Sequence, residues 1–245
     1  MGVFRFKRFS VVNEKSAMKV NTDGVLLGAS MTIKPSDRKF LDVGTGTGTI
    51  ALMAAQRICD IAPQHSSEIL VEAVEIDPVS AEEADNNFKF SPWSDIIRVH
   101  NVSFAEFSSS DTEKYDLIFS NPPYFESSLL APSRRRCDAR HTSSGLSYRE
   151  LLDFASSRLG PQGRFSVVLP AEQEDALCRY ARMCGLYLFR IVRIRTVPRK
   201  APGRIVAEFS AIRCESPEQE LVTIQNEGKY TQEYLSLTQD FYLFA

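Results

Sequence analysis

The sequence predicts an α/β fold: an open, mostly parallel sheet with helices on both faces. Three observations carry that expectation. From residue 39 onward, short apolar runs alternate with helix-periodic stretches over short connections. One run, Lys39–Val43, passes directly into a glycine-rich loop that opens a helix. Residues 187–197 and 204–212 are β-runs joined by a Pro/Gly turn too short to hold a helix, so they should pair as a C-terminal antiparallel hairpin. With that hairpin the sheet is expected to hold seven strands.

The elements follow in order. Residues 49–57 read as the helix after the glycine loop, and 69–76 as the second strand. Residues 78–90 form a helix with Asp77 as its N-cap and Pro78 at its first position, where a missing N–H costs nothing. Residues 96–100 and Tyr115–Ser120 are further strands. Ser147-Tyr148-Arg149-Glu150 is a capping box, opening a helix that should stop at Gly160-Pro161. A strand at 164–169 and a helix at 171–184 complete the pattern. Two connections exceed the usual few residues. Residues 64–68 extend one modestly, with nothing chemical in it. Residues 122–145 make a long loop with Pro, Ser and Arg clusters, and loops of that length are usually functional.

Composition narrows the class. The chain has 245 residues, 43% apolar and 24% charged, which suits one globular domain and excludes disordered or fibrous types. No run of 18 apolar residues exists, so no membrane partner is expected. The start, Met1 to Arg8, alternates charge with aromatics and lacks the apolar core of a signal peptide. The 5 cysteines are scattered without a C-x-x-C pair and the 3 histidines lie far apart, so neither disulfides nor a metal site is expected, and the cytoplasm is the default location. A monomer is expected.

Net charge is −2, but it is unevenly placed. Segments 1–20, 134–145 and 187–207 hold 15 of the 29 basic residues and, of the acids, only Glu14 and Asp138. One cationic face on an acidic body suits a polyanionic partner.

Two motifs carry chemistry. The first is Leu41-Asp42-Val43-Gly44-Thr45-Gly46-Thr47-Gly48. Its G-x-G-x-G spacing differs from the dinucleotide fingerprint, and Asp42 would repel a pyrophosphate but suits a ligand bearing an ammonium group. The next strand ends Val74-Glu75-Ile76-Asp77, an acid where ribose hydroxyls need an acceptor. Here the chain resembles the Rossmann-like class I S-adenosylmethionine-dependent methyltransferases. The resemblance implies S-adenosylmethionine as cofactor, cradled at Asp42, Gly44, Thr45, Gly46 and Gly48, with Glu75 at its ribose and Ile76 also among the cofactor-binding residues. That family usually places an acid after the third strand. Here Asn101-Val102-Ser103-Phe104 takes the place, with Ser103 or Asn101 as the substitute.

The second motif, Asn121-Pro122-Pro123-Tyr124, follows a strand at the carboxyl end of the sheet. Two prolines make a rigid segment holding the Asn121 side chain and the Pro122 carbonyl. Two such acceptors can draw a conjugated amine towards a tetrahedral, reactive form without a strong base, and Tyr124 offers a plate for a planar substrate. The tetrapeptide resembles the motif of methyltransferases acting on planar amino or amide nitrogens. These act on adenine N6 in DNA or RNA, on guanine N2, and on the glutamine of release factors.

Three further segments resemble one bacterial family, the tRNA-valine adenine-N6 methyltransferases that modify adenine 37 beside the anticodon. They are the run 9–28 with Lys19-Val20-Asn21-Thr22-Asp23 at a helix start, Ala139-Arg140-His141, and 230–243. The resemblance implies that Thr22 and Asp23 lie near the cofactor and that residues 1–38 cap a core at 39–245. It also makes tRNA the partner, which Arg134, Arg135, Arg136, Arg140, His141, Arg193, Arg195 and Arg204 would contact. Arg190, Arg193 and Arg195 do not all share one strand face, so at least one is expected to serve structure. The rivals are a release-factor glutamine methyltransferase, whose kind carries an extra N-terminal helical domain, a DNA adenine methyltransferase, and a non-catalytic cofactor-binding RNA module.

Overall fold

The computed structural model describes residues 2–16, 19–123 and 146–244. Its elements are β1 (Val3–Arg5), β2 (Ser10–Val12), α1 (Thr22–Ser30), β3 (Lys39–Val43), α2 (Thr49–Ile61), β4 (Leu70–Val74), α3 (Pro78–Lys89), β5 (Ile97–His100), α4 (Phe104–Ser110), β6 (Tyr115–Ser120), α5 (Tyr148–Arg158), β7 (Leu159–Pro170), α6 (Glu174–Met183), β8 (Tyr187–Arg195), β9 (Arg204–Ser210), β10 (Glu218–Thr223), β11 (Gln225–Asn226), β12 (Lys229–Tyr230) and α7 (Gln232–Thr238). The main sheet runs β10-β8-β9-β7-β6-β3-β4-β5. Only β9 opposes its neighbours, pairing antiparallel with both β7 and β8.

Among the described residues the sheet therefore has 8 strands, not seven. The additional one, β10, pairs parallel with β8 from Glu218↔Arg190 to Thr223↔Arg195. Its Glu-Gln-Glu start is polar because it lies at the sheet edge, where most of its side chains meet solvent. β7 also begins earlier than the apolar pattern suggests. Leu159 ends α5 and already pairs with Tyr115.

Alternation along each strand divides the core in two. Phe40, Phe119 and Val206 join α1, α2 and the N-terminal ribbon on one face. Leu41, Ile118 and Ile205 join α5 and α6 on the other. Each such side chain, when fully buried, contributes about 1.5–3 kcal/mol.

The caps fall where the sequence puts them. Asp77 accepts from Ser80 N, and Ser147 and Glu150 form the full capping box. The N-terminal ribbon β1–β2 is fastened to α3 by Asn87, which exchanges both amide bonds with Val12, and by Glu83, which accepts from the N–H groups of Lys15 and Ser16. It is also fastened to the distant end of the chain. Lys7 N donates to Phe241 O at 2.8 Å, and Phe4 and Phe6 pack against Tyr242.

α1 is seated on buried charge. Glu208 of β9, fully buried, accepts from Thr32 N at 2.8 Å, Thr32 Oγ1 at 2.9 Å, Ser166 Oγ at 2.8 Å and Arg190 Nη1 at 2.7 Å. Arg190 also donates to Ser30 O, and Arg57 to Gly28 O and Met31 O, which satisfies carbonyls at the helix C-terminus that have no helical partner.

Candidate active site

The site lies at the carboxyl ends of β3, β4 and β6. Beyond β3 the loop turns through Gly44 (φ 73°), Gly46 (φ 57°) and Gly48 (φ 84°), left-handed conformations that only glycine adopts at little cost. Gly44 N and Thr45 N both donate to Val74 O, tying the loop to the end of β4. Gly48 N-caps α2, and a Cβ there would fall 2.3 Å from Phe88 Cε1. A Cβ on Gly44 would come within 3.3 Å of Leu146 Cδ2.

Asp42, 1% exposed, ends β3 beneath the loop. Its Oδ2 accepts from Thr45 Oγ1 at 2.6 Å. Its Oδ1 meets no donor in hydrogen-bonding geometry among the described residues. Burial raises its pKa to about 7, only partly offset by Thr45 and the Ala51 N–H and reinforced by the Glu75 charge. Glu75 bridges the two loops, with Oε2 accepting from Gly46 N at 2.8 Å and Oε1 from Asp77 N at 2.9 Å. Each oxygen keeps a second lone pair. Beside it Ile76 is 69% exposed, an unusual position for a large apolar side chain.

A buried carboxyl with an orphaned oxygen, bare glycine backbone, a bridging carboxylate and an open apolar side chain suit a ligand combining an ammonium group, a diol and a flat ring. S-adenosylmethionine combines all of these, so the residues fit the cofactor expected from the sequence. Ser103 has a second, local engagement. Its hydroxyl donates to Glu106 Oε2 and accepts from Glu106 N, so it is the N-cap of α4 and its side chain is already engaged. The neighbouring Asn101 reaches the site, donating to Glu75 O at 2.9 Å and Ile76 O at 3.3 Å.

β3 and β6 are adjacent, with Asp42 opposite Phe119. Gly44 and Asn121 each lie two residues further on, so the glycine loop and the Asn-Pro-Pro segment leave the sheet side by side. Ser120 Oγ donates to Val43 O at 2.7 Å and locks the two strand ends together. Pro122 is buried. Tyr124, Arg134, Arg135, Arg136, Arg140 and His141 lie outside the described residues.

The start of α1 meets this segment. Asn21 is its N-cap, accepting from Gly24 N at 2.8 Å, and its Oδ1 also accepts from Asn121 Nδ2 at 3.4 Å. Sequence reading passed over Asn21, although an Asn immediately before a helix start is a recognisable N-cap signal. Thr22 is exposed at the first turn.

The hairpin arginines have partners within the protein. Arg204 Nε donates to Asp23 Oδ2 at 2.8 Å. Arg193 forms a two-pronged ion pair with Glu174 and also donates to Gln219. Arg195 donates to Thr223 Oγ1 and Pro198 O. Arg190, like them, serves structure. These guanidiniums are held by nearby acceptors, which gives each of them a structural contact in the free protein. Exposed Arg199 and Lys200 stand in the turn between β8 and β9, at the same end of the sheet as Pro170 and Arg204. A surface cavity of about 540 Å³ between β2 and α3, lined by Phe9, Glu82, Glu83 and Phe90 among others, contains none of the candidate site residues.

Residues 16–176 match the family model described as the methyltransferase small domain. A tRNA1(Val) (adenine(37)-N6)-methyltransferase of Bacteroides fragilis is 43% identical over 241 residues, covering 98% of this chain and 97% of its own. A protein of the same name from Parabacteroides distasonis is 40% identical over 241 residues, with the same 98% and 97% coverage. Among solved structures, a predicted O-methyltransferase of Agrobacterium tumefaciens superposes with a TM-score of 0.61 at 16% identity, over 88% of this chain and 95% of that one. A methyltransferase of Pyrococcus furiosus gives 0.59 at 15% identity, over 83% and 89%. At such identities the likeness is one of fold.

Proposed function

Since this chain belongs to the family of tRNA1(Val) (adenine(37)-N6)-methyltransferases, built on the methyltransferase small domain, we propose that it methylates the exocyclic N6 amine of adenine 37 in that tRNA. The observation that carries the reading is the adjacency of the glycine loop and Asn121 on neighbouring strands, fixed by the Asp42↔Phe119 register.

S-adenosylmethionine supplies the electrophilic methyl group. Asp42, Gly44, Thr45, Gly46 and Gly48 would hold its amino-acid end, Glu75 its ribose and Ile76 its adenine, with Thr22 and Asp23 closing over it from α1. The Asn121 oxygen and the Pro122 carbonyl accept from the two N–H bonds of the substrate amine and draw its lone pair out of conjugation. Tyr124 stacks the flipped base, and an anticodon loop, already unpaired, lowers the cost of flipping. No strong base is required, because the amine becomes acidic enough on methyl transfer to release its proton to water. One domain serves both catalysis and tRNA binding, and Arg134, Arg135, Arg136, Arg140 and His141 contribute contacts to the tRNA. The enzyme acts as a cytoplasmic monomer. Among the described residues no helix is long and apolar enough to cross a membrane, and no cluster of ligating side chains suits a metal ion.

The test is nucleoside mass spectrometry of tRNA1(Val) transcripts incubated with the protein and cofactor. N6-methyladenosine should form with adenine 37 and not when that base is guanine. Equal methylation of both transcripts, or none of either, overturns the reading.

A further inference from the structure

The side-chain amide of Asn121 can be placed in two ways, related by exchanging its oxygen and nitrogen. Only one presents an acceptor to an amine; the other presents a donor, which repels it. Shape barely distinguishes the two placements, so the choice must come from a hydrogen-bond partner of fixed polarity.

Asn21 has that polarity. Its Oδ1 accepts from Gly24 N at 2.8 Å and its Nδ2 donates to Lys19 O at 3.3 Å. Both ends of its amide are thereby fixed, one by the first turn of α1 and the other by the backbone just before it. The oxygen so fixed is the atom 3.4 Å from Asn121 Nδ2. Exchanging the Asn121 amide would set oxygen against oxygen. The contact is long and exposed in the free protein. A planar base covering it would exclude water and strengthen the preference.

We propose that Asn21 is a positioning residue: by turning the Asn121 nitrogen towards α1, it leaves the Asn121 oxygen as the atom offered to the substrate amine. The inference rests on the proposed methyl transfer to a planar amine. It adds that the polarity of the acceptor is dictated from 100 residues away along the chain, by the same side chain that starts the helix over the cofactor. The N-cap and the orientation of the reacting group are then two uses of one oxygen.

The two uses separate by substitution. Asn21→Ser and Asn21→Thr keep a good N-cap but withdraw the oxygen towards the backbone, out of reach of Asn121. Asn21→Asp keeps both the cap and the reach. Steady-state methylation of tRNA1(Val), calorimetric cofactor affinity and thermal melting should be measured for each. The serine and threonine variants should lose at least tenfold in kcat, with KM, cofactor affinity and Tm near those of the parent. The aspartate variant should stay within about threefold. On an Asn121→Ala background, Asn21→Ser should cost less than twofold more, because nothing remains to orient. A kcat within twofold of the parent for the serine and threonine variants overturns the proposal. So does an equal loss in the aspartate variant, or a full multiplicative loss on the Asn121→Ala background. A parent protein that leaves tRNA1(Val) unmethylated would instead overturn the functional reading on which this one stands.

Discussion

Arg204 Nε and Asp23 Oδ2 are 2.8 Å apart, and so the first residue of β9 is joined to the first turn of α1. The pair is partly exposed, with the two side chains 37% and 22% accessible, so it should contribute no more than about 1 kcal/mol. Arg204→Ala should lower Tm by no more than roughly 4 °C and weaken cofactor binding by loosening the start of α1. The salt dependence of tRNA binding should be unchanged. A flatter salt slope in this variant would return Arg204 to the RNA surface.

Arg199 and Lys200, exposed in the β8–β9 turn, should carry part of the phosphate contact that the charge pattern assigned to the whole hairpin. Replacing both by serine should reduce the log–log salt slope of tRNA affinity by about 0.7 for each lost contact to single-stranded phosphate. Cofactor affinity should stay the same. Filter binding or fluorescence anisotropy across a salt series reads the slope directly, and identical slopes would leave the β8–β9 turn outside the interface.

Asp42 makes two pH-dependent predictions. Its folded pKa, about 7, lies above its unfolded value of 3.8. Between those values the folded chain holds a proton that the unfolded chain has released, so stability falls as pH rises through that window. Melting at pH 5 and pH 8 should show a smaller acid-side advantage in Asp42→Asn than in the parent. A cationic ammonium group favours the ionised carboxyl, so cofactor affinity should rise as pH increases through about 7, with proton uptake by buffer visible in calorimetry. A pH-independent affinity in the parent would separate Asp42 from the ammonium group.

Glu75→Ala removes the acceptor of both Gly46 N and Asp77 N as well as the proposed ribose contact. Hydrogen bonds to a charged acceptor contribute about 1.5–3 kcal/mol each, so cofactor affinity should fall at least tenfold. Unchanged affinity by calorimetry would remove Glu75 from the cofactor site.

Gly48→Ala should destabilise the fold itself. The left-handed backbone costs an alanine about 1 kcal/mol, and the new methyl would meet the Phe88 ring in a packed core, costing roughly 1–3 kcal/mol more. A fall in Tm of about 5–10 °C is expected by differential scanning calorimetry. A fall of under 2 °C would mean that α2 and α3 can separate at little cost.

The sheet and its order of elements were readable because buried parallel strands such as β3 and β6 are continuous apolar runs bounded by turn residues. Caps at Asp77 and Ser147 were readable for a local reason, since each partner lies within three residues. What escaped was non-local or polar. β10 carries the pattern of an exposed edge. The fates of Arg193 and Arg204 depended on Glu174 and Asp23, and Asp23 lies 181 residues away. A run of arginines looks the same in sequence whether it faces phosphate or carboxylate. The capping box of Ser103 and Glu106, by contrast, is as local as the caps at Asp77 and Ser147, with its two partners three residues apart.

The backbone bond from Lys7 to Phe241 sets an order of events in the cell. Synthesis proceeds at about 5–20 residues per second, so the ribbon must wait roughly 10–50 s for its partner strand of chain to emerge. During that interval Phe4 and Phe6 lack Tyr242. Until residue 241 emerges, the ribbon should therefore be held from α3, through Asn87 and Glu83, without its fastening to the chain end.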